Sequence, residues 1–204
     1  MNRQGAIVHV VDDDQAFRES VRWLLESAGL RCQLYASGDE FLSAVDRDAV
    51  GCLVTDLRMP GMSGVELQKA LNREQLTLPI IIMTAHGDVD TAVQAMKSGA
   101  VEFIQKPFKE QAFLDMTNAA IAQSIRDAKQ RKSLADSQMR LGSLSARERE
   151  VLTFVVDGKT NKATATALAI SEKTVEAHRA SIMQKLGVNT LASLIKTVLG
   201  AQLD

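Results

Sequence analysis

Three aspartates, a threonine and a lysine supply the most specific chemistry in this sequence. Asp12 and Asp13 follow the apolar run Ala6–Val11, Asp56 closes the run ending Val54-Thr55, Thr84 closes a fourth run, and Lys106-Pro107 follows a fifth. If those runs are parallel strands, their ends converge on one edge of a sheet. Carboxylates gathered there repel one another, and a hard divalent cation relieves the repulsion through oxygen ligands. A hydroxyl and an ammonium facing the same carboxylates suit the oxygens of a phosphoryl group. Asp56 is then an activated carboxylate that attacks phosphorus to give an acyl phosphate. Mg2+ (or Mn2+) would be held by Asp13 and Asp56, with Asp12 acting through water. Thr84 would bond one phosphoryl oxygen and Lys106 would neutralise another. Any one of these residues alone reads as a solvated loop side chain; four suitable types at four strand ends point to a site.

The elements that must position them are legible from periodicity. Short apolar runs at Ala6–Val11, Cys32–Tyr35, Val50–Thr55, Pro79–Thr84 and Val101–Ile104 alternate with helical patterns. Phe17, Val21, Leu24, Leu25 and Ala28 form one helical stripe that Gly29 ends, and Val89, Val93 and Met96 form another that Gly99 ends. Five such alternations predict α/β architecture, a doubly wound five-stranded parallel sheet over residues 1–120, with ligands collecting outside the carboxyl ends of the strands. Residues 121–140, IAQSIRDAKQRKSLADSQMR, read as a helical linker that only loosely fits a heptad.

Residues 141–204 are all-α. Ser145 and Glu148 make a capping-box pattern, Gly158 ends that helix, and further helices are expected over Thr160–Leu168, from the N-cap Ser171 to about Leu186, and over Thr190–Gly200. In the third of these, Val175, Ile182 and Leu186 share the side that faces a core. The opposite arc holds Lys173, Glu176, Ala177, Ala180, Ser181 and Gln184, small in the middle and polar around it, which suits a helix pressed into a major groove. Glu176 could accept from cytosine, and Ala177 or Ala180 could touch a thymine methyl. Lys162, Thr174, Arg179 and Lys185 are expected on phosphates. His178 has no partner ligand nearby, so it is structural or contacts phosphate rather than metal. Periodicity alone also allows an ordinary bundle that docks a protein partner such as RNA polymerase.

Charge and composition narrow the classes. The chain has 204 residues and a net charge of −1, but residues 1–120 carry 11 basic against 17 acidic side chains and residues 121–204 carry 13 against 8. Only a net of +2 belongs to residues 141–204, so DNA affinity there rests on the placement of a few charges, on the linker and on dimerisation. No apolar run approaches the roughly 20 residues of a membrane span, and the aspartates arrive too soon for a signal-peptide core. Cys32 and Cys52 lie in apolar segments and read as buried thiols in a reducing cytoplasm. Low aromatic content argues against base stacking on single strands.

Residues 5–122 resemble the receiver domain of two-component response regulators, through VVDDD, LVTDLRMPGMSG, TAHGD and AMKSGAVEFIQKPF. The last two are similar to the FixJ type. The resemblance implies a flavodoxin-like fold, Asp56 as phosphoacceptor, Asp12 and Asp13 for Mg2+, the Arg58 backbone carbonyl as a metal ligand, and Thr84 with Phe103 as a coupled switch pair. Phe103 stands where many members have tyrosine; taken alone it reads as core. A cis Lys106–Pro107 bond is implied as well. Haloacid-dehalogenase phosphatases use similar groups but place a second acid two residues after the nucleophile; here that residue is Arg58, which leaves an external ester without leaving-group catalysis. Leu144–Leu199 resembles the LuxR-type helix-turn-helix, through SLSAREREVL, GKTNK and ISEKTVEAHRASIMQKLGV, although Thr164 falls where members usually bury isoleucine. Together these imply a cytoplasmic regulator of the NarL/FixJ family. A histidine kinase would phosphorylate Asp56, and a dimer face including Val93, Lys97 and Glu102 would form. Paired helices would then bind double-stranded promoter DNA on inverted half-sites. The protein would hydrolyse its own acyl phosphate slowly without acting as an enzyme on external substrates. Leu191, Leu194, Ile195, Val198 and Leu199 make an apolar face on the last helix, mostly core, with a share for pairing two bundles.

Overall fold

Strands β1 (Ile7–Val11), β2 (Cys32–Tyr35), β3 (Gly51–Asp56), β4 (Ile80–Thr84) and β5 (Glu102–Gln105) form one parallel sheet in the order β2-β1-β3-β4-β5. The structure, a computed structural model, describes residues 5–85 and 102–202. The helical stripe expected over Val89–Gly99, and with it Val93 and Lys97, lies outside the described residues. β2 starts where expected and the other four strands start one residue later; β3 also ends one residue later, which makes Asp56 its last residue.

Every side chain of β3 and β4 is buried, as a parallel strand covered on both faces requires. Alternation along β1 divides the core. Val11, Leu53 and Ile82 meet Phe41, Leu67 and Leu71 on one face, while Val8, Val10, Val54 and Met83 meet Val21, Leu25 and Phe113 on the other. The helices behind these side chains are α1 (Gln15–Ser27), α2 (Gly38–Ala44), α3 (Gly64–Arg73) and the start of α4 (Glu110–Gly142). Each of the first three opens on a short polar N-cap. Asp14 accepts from Ala16 and Phe17, Ser37 from Glu40, and Ser63 forms a capping box with Glu66. Of the two thiols, Cys52 is buried and Cys32 only half-buried, because Cys32 sits on the edge strand β2; both are free.

The segment expected as a linker is one helix with the last helix of the first unit. α4 runs unbroken to Gly142, since residues 110–141 contain neither glycine nor proline. Its buried positions, Phe113, Thr117, Ala120, Ile121 and Ser124, all lie in its first half, and Met139 is 75 % exposed. The chain divides into two compact units within this helix, Met1–Lys129 and Gln130–Asp204.

In the second unit α5 (Ala146–Val156), α6 (Asn161–Leu168), α7 (Glu172–Leu186) and α8 (Leu191–Gln202) enclose Leu144, Val151, Val155, Val175, Ile182, Leu186, Leu194 and Val198. The turn from α6 to α7 is tight: Ala169 adopts a left-handed conformation (φ 53°) and Ile170 N–H donates to the Ala165 carbonyl at 3.0 Å. Thr164 takes a core position in α6. It is fully buried, but its hydroxyl donates to the Thr160 carbonyl at 3.0 Å, so no polar group is stranded. On α8, Leu194 and Val198 are core, whereas Leu191 and Leu199 are nearly half exposed.

Candidate functional site

The residues after β1 take three different directions. Asp12 turns inward and is 2 % exposed, Asp13 faces solvent, and Asp14 caps α1. The chain leaves the strand and bends at Asp13, so the three side chains diverge, and Asp14 serves the N-terminus of α1. Asp12 accepts from the Asp14 N–H through Oδ1 at 2.9 Å and from Lys106 Nζ through Oδ2 at 2.6 Å. Burial pushes its carboxyl above the ordinary aspartate range, a shift that Lys106 and the Asp14 N–H oppose.

Asp56 stands opposite. Its Oδ1 accepts from Lys106 Nζ at 2.6 Å and its Oδ2 from the Arg58 N–H at 2.8 Å. The bend that brings Arg58 N–H back onto its own strand is held from both sides. Leu57 N–H donates to the Met83 carbonyl at 2.7 Å and Gly64 N–H to the Leu57 carbonyl at 3.1 Å. Gly64 is required here, because a Cβ would come within 2.4 Å of the Asp56 carbonyl oxygen.

Lys106 reaches the crevice from the end of β5. Its N–H donates to the Thr84 carbonyl at 2.7 Å, its peptide to Pro107 is cis, and its ammonium lies 3.8 Å from the centroid of the Phe17 ring. Phe17 itself meets Phe108 edge-on. A cation above an aromatic face is held by the ring's quadrupole, so Phe17 fixes the ammonium from below while two carboxylates hold it from the sides. The helical stripe marked Phe17 only as a core residue; its place under Lys106 had no signature in spacing. Thr84 is buried beside these groups at the end of β4. Phe103, opposite Ile82 on β5, packs half-buried against the core on the Phe41 face.

The expected cation site differs in one respect from its sequence outline. Asp12 and Asp56 converge on the Lys106 ammonium, and Asp13, next to Asp12 in the chain, is exposed. Among the described residues no three acidic, histidine or cysteine side chains form a group that could hold a metal ion. The donors that are present, carboxylates with the neighbouring Arg58 carbonyl, are all oxygen and suit a hard divalent cation rather than a soft one.

The second unit presents a different surface. On α7, Val175, Ile182 and Leu186 are buried, while Lys173, Thr174, Glu176, Ala177, Ala180 and Gln184 are exposed, as is Lys162 on α6. His178 is partly buried. Arg179 donates through Nη1 to Asn161 Oδ1 at 2.9 Å, and Asn161 Nδ2 lies 3.5 Å from Glu176 Oε1, so the start of α6 is pinned to the middle of α7.

Two polar residues of α7 pair with a buried carboxylate: Ser181, expected on the outer arc, and Lys185, expected on phosphate, which stays exposed. Ser181 donates to Glu148 Oε1 and Lys185 Nζ to Glu148 Oε2, each at 2.7 Å. Glu148 is 4 % exposed and also accepts from the Ser145 N–H at 2.7 Å. Lys185, then Ser181 and the Ser145 N–H, hold the Glu148 carboxyl down to about 2. The reason is economy of charge: a buried carboxylate attracts the nearest ammonium and hydroxyl, and Lys185 reaches it while remaining exposed. Glu148 and Asn161 are thus structural partners of the outer arc that sequence reading missed. Glu148 was visible only as a capping residue, and Asn161 had no signal beyond its place at a helix start.

Comparison with known proteins returned two families. The response regulator receiver domain matches residues 8–118, and the luxR family of bacterial regulatory proteins matches residues 142–198. Over 194 residues the chain is 42% identical to the transcriptional regulatory protein FixJ of Bradyrhizobium diazoefficiens, covering 95% of each. It is 39% identical to the response regulator protein TodT of Pseudomonas putida, covering 96% of this chain and 86% of that one. Among solved structures, the response regulator StyR superposes with a TM-score of 0.89 at 42% identity, covering 96% of this chain and 98% of that one. Full-length FixJ from B. japonicum gives a TM-score of 0.58 at 40% identity, covering 98% of each.

Proposed function

Because the chain belongs to the NarL/FixJ family of two-component response regulators, we propose that Asp56 receives the phosphoryl group by which a sensor histidine kinase controls DNA binding. The chain is a transcription regulator with a receiver and a LuxR-type DNA-binding domain, and not an enzyme of the usual kind. The proposed domain limits are 1–120 for the receiver, 121–140 for the connecting helical segment and 141–204 for the DNA-binding part.

One observation carries the assignment: Lys106 Nζ lies 2.6 Å from both Asp12 and Asp56 at the carboxyl end of the sheet. A carboxylate oxygen of Asp56 attacks phosphorus as the bond from phosphorus to the kinase imidazole breaks, and the electron pair returns to the imidazole nitrogen. The Arg58 N–H and Lys106 Nζ orient the Asp56 carboxylate for in-line attack. Mg2+ (or Mn2+), held by Asp12, Asp13, Asp56 and the Arg58 carbonyl, would supply positive charge to the phosphoryl oxygens. After transfer, Lys106 exchanges the Asp56 carboxylate for a phosphoryl oxygen and the Thr84 hydroxyl bonds another. Phe103, on the neighbouring strand, follows the repacking, and slow hydrolysis by water returns the resting carboxylate. A conformation that binds the phosphoryl group better is populated in proportion to that difference.

The active form is a homodimer, with Glu102 at the exposed edge of β5 and Val93 and Lys97 as further candidates for its face. Paired α7 helices meet half-sites about one helical turn apart. Glu176, Ala177 and Ala180 face bases, while Lys162, Lys173, Thr174 and His178 meet phosphates. Arg179 acts there through donors that Asn161 leaves available. Lys185, exposed on α7 and paired with Glu148, is a further candidate for phosphate contact. RNA polymerase is the further partner at the promoter, and the cytoplasm is the compartment. Among the described residues no helix is long and apolar enough to cross a membrane.

The test compares the parent protein with Asp56→Asn, each treated with acetyl phosphate or beryllofluoride. Dimerisation is followed by sedimentation and promoter occupancy by footprinting. The parent gains both and the variant neither; equal behaviour of the two would sink the scheme.

A further inference from the structure

Arg126, Lys129 and Lys132 recur at every third position along α4, so they share one face of the helix. All three are exposed, and among the described residues none of them enters an ion pair or a hydrogen bond. Between residues 126 and 140 this face holds a single carboxylate, Asp136, which is exposed and does not bridge to Lys132; Asp127 lies across the helix. Like charges at this spacing repel and weaken a helix, and an anion from outside relieves them.

Arg140 falls on the same face by the helical period, and it ties that face to α7. Its Nη1 donates to the Leu186 carbonyl at 3.0 Å, at the C-terminal end of α7. Gly187, the left-handed residue that follows (φ 67°), leaves room for it, since a Cβ there would come within 2.7 Å of the guanidinium. The guanidinium thus sits where the carbonyls and the dipole of α7 favour a cation. A second arginine closes the joint: Arg149 on α5 donates to the Gly142 carbonyl at 3.0 Å and to the Leu144 carbonyl at 3.2 Å. The end of α4 is therefore fixed against the helix whose exposed arc is read above as the groove face. Lys132 stands about 12 Å back along α4 from Arg140, and Lys185 is exposed in the last turn of α7. Cations follow one another from the end of α7 onto α4.

We infer that this face of α4 is a second phosphate-binding surface, on which Lys132, Lys129 and Arg126 hold the DNA backbone beyond the half-site occupied by α7. The inference rests on the reading of α7 as the groove helix and adds a surface outside it. The cations lie along a line, which suits a polyanion and not a single small anion. Ser133 lies among them and Gln130 beside them, so the face has no exposed apolar centre of the kind that protein partners bury. Residues 141–204 carry only 8 basic against 6 acidic side chains, so the charge that DNA needs must come in part from elsewhere. Contacts of this kind add affinity and register without reading sequence.

The full chain, activated with beryllofluoride, is titrated by fluorescence anisotropy across a salt series. The probes are a promoter duplex recovered by footprinting and a mixed-sequence duplex of equal length. The triple variant Arg126→Gln, Lys129→Gln, Lys132→Gln should lower the salt slope by about 2–3 on both duplexes. It should bind both about tenfold to a hundredfold more weakly near physiological salt, with the ratio between them unchanged. The control Arg47→Gln, Lys69→Gln, Arg73→Gln removes the same charge from exposed positions on α3 and the loop after α2, and should keep the parent's slope. The proposal is overturned if the triple variant keeps the parent's slope, or if the control loses as much. A triple variant that keeps the slope but no longer dimerises overturns it in favour of a contact with the acidic first unit of a second copy. Failure of the α7 reading is seen separately, as an Ala177→Asp variant that retains the parent's footprint.

Discussion

Lys106 Nζ lies 2.6 Å from Oδ1 of Asp56, across 50 residues of sequence, and the same nitrogen lies 2.6 Å from Asp12. One ammonium therefore holds two carboxylates that would otherwise repel, and it is already in place where a phosphoryl group would bring further negative charge. Its position depends on the Phe17 ring beneath it as well as on the carboxylates beside it.

Lys106→Met keeps an unbranched stem over Phe17 and removes the charge. The variant should lose about 2–3 kcal/mol of stability near neutral pH, because Asp12 is left buried and unpaired. The deficit should shrink on acidification. Asp12 already has a folded-state value above its unfolded one, so its favourable contribution is complete below the unfolded value and disappears as pH rises through the folded value. Without Lys106 the folded value moves further up and the window widens. Urea midpoints measured from about pH 7 to about pH 5 check this; parallel curves for parent and variant would contradict it.

Gly64→Ala places a methyl group against the Asp56 carbonyl, at a position that now allows only 2.4 Å. Neither side can yield cheaply, since both are backbone. The bend carrying the Arg58 N–H should shift, and acetyl phosphate should label Asp56 about tenfold to a hundredfold more slowly, with the sheet intact. Phosphate-affinity electrophoresis against time gives the rate, and a parent-like rate would show that the bend tolerates displacement.

Glu148→Gln keeps the shape of the capping side chain and removes the charge that Lys185 and Ser181 share. A carboxyl held down to about 2 contributes stability that is complete above the unfolded value of 4.5 and is lost as pH falls through about 2. The variant's second unit should therefore melt earlier than the parent's at neutral pH and converge with it near the bottom of that range. Far-ultraviolet circular dichroism of the full chain, recorded against temperature at several pH values, makes the comparison. Because Ser181 and Lys185 lie on α7, specific DNA binding should also weaken.

Ala177→Asp puts a carboxylate on the exposed centre of α7. A site-specific footprint should vanish, with the second unit still folded. Lys162→Ala removes a charge at the edge, so it should weaken all DNA sequences about equally and lower the salt slope by about one per contacted phosphate. Fluorescence anisotropy across a salt series separates the two behaviours. An unchanged footprint for Ala177→Asp would move the interface off this face.

The sequence by itself determined the parts that depend on short-range order. Apolar runs of strand length between helical stripes specify a parallel α/β sheet, and the buried trio Val175, Ile182 and Leu186 follows from a 3.6-residue period. The caps at Ser145 and Ser171 mark where two helices begin, because a short hydroxyl satisfies the first free N–H groups wherever it stands. Even the convergence of Asp12, Asp56 and Lys106 follows from all three lying at strand ends in one parallel sheet.

Only the tertiary structure decided which of those groups meet, and what else meets them. Periodicity orients a side chain relative to its own element and says nothing of what another element brings to it. Hence Asp12 is buried against Lys106 while Asp13 is exposed, and Phe17 becomes the floor under Lys106. Ser181 and Lys185 pair with Glu148, a residue 33 and 37 positions away. Each outcome is a pairing of polar groups across the fold, where desolvation makes every unmatched donor or acceptor expensive, and such pairings exist only once the chain has closed on itself.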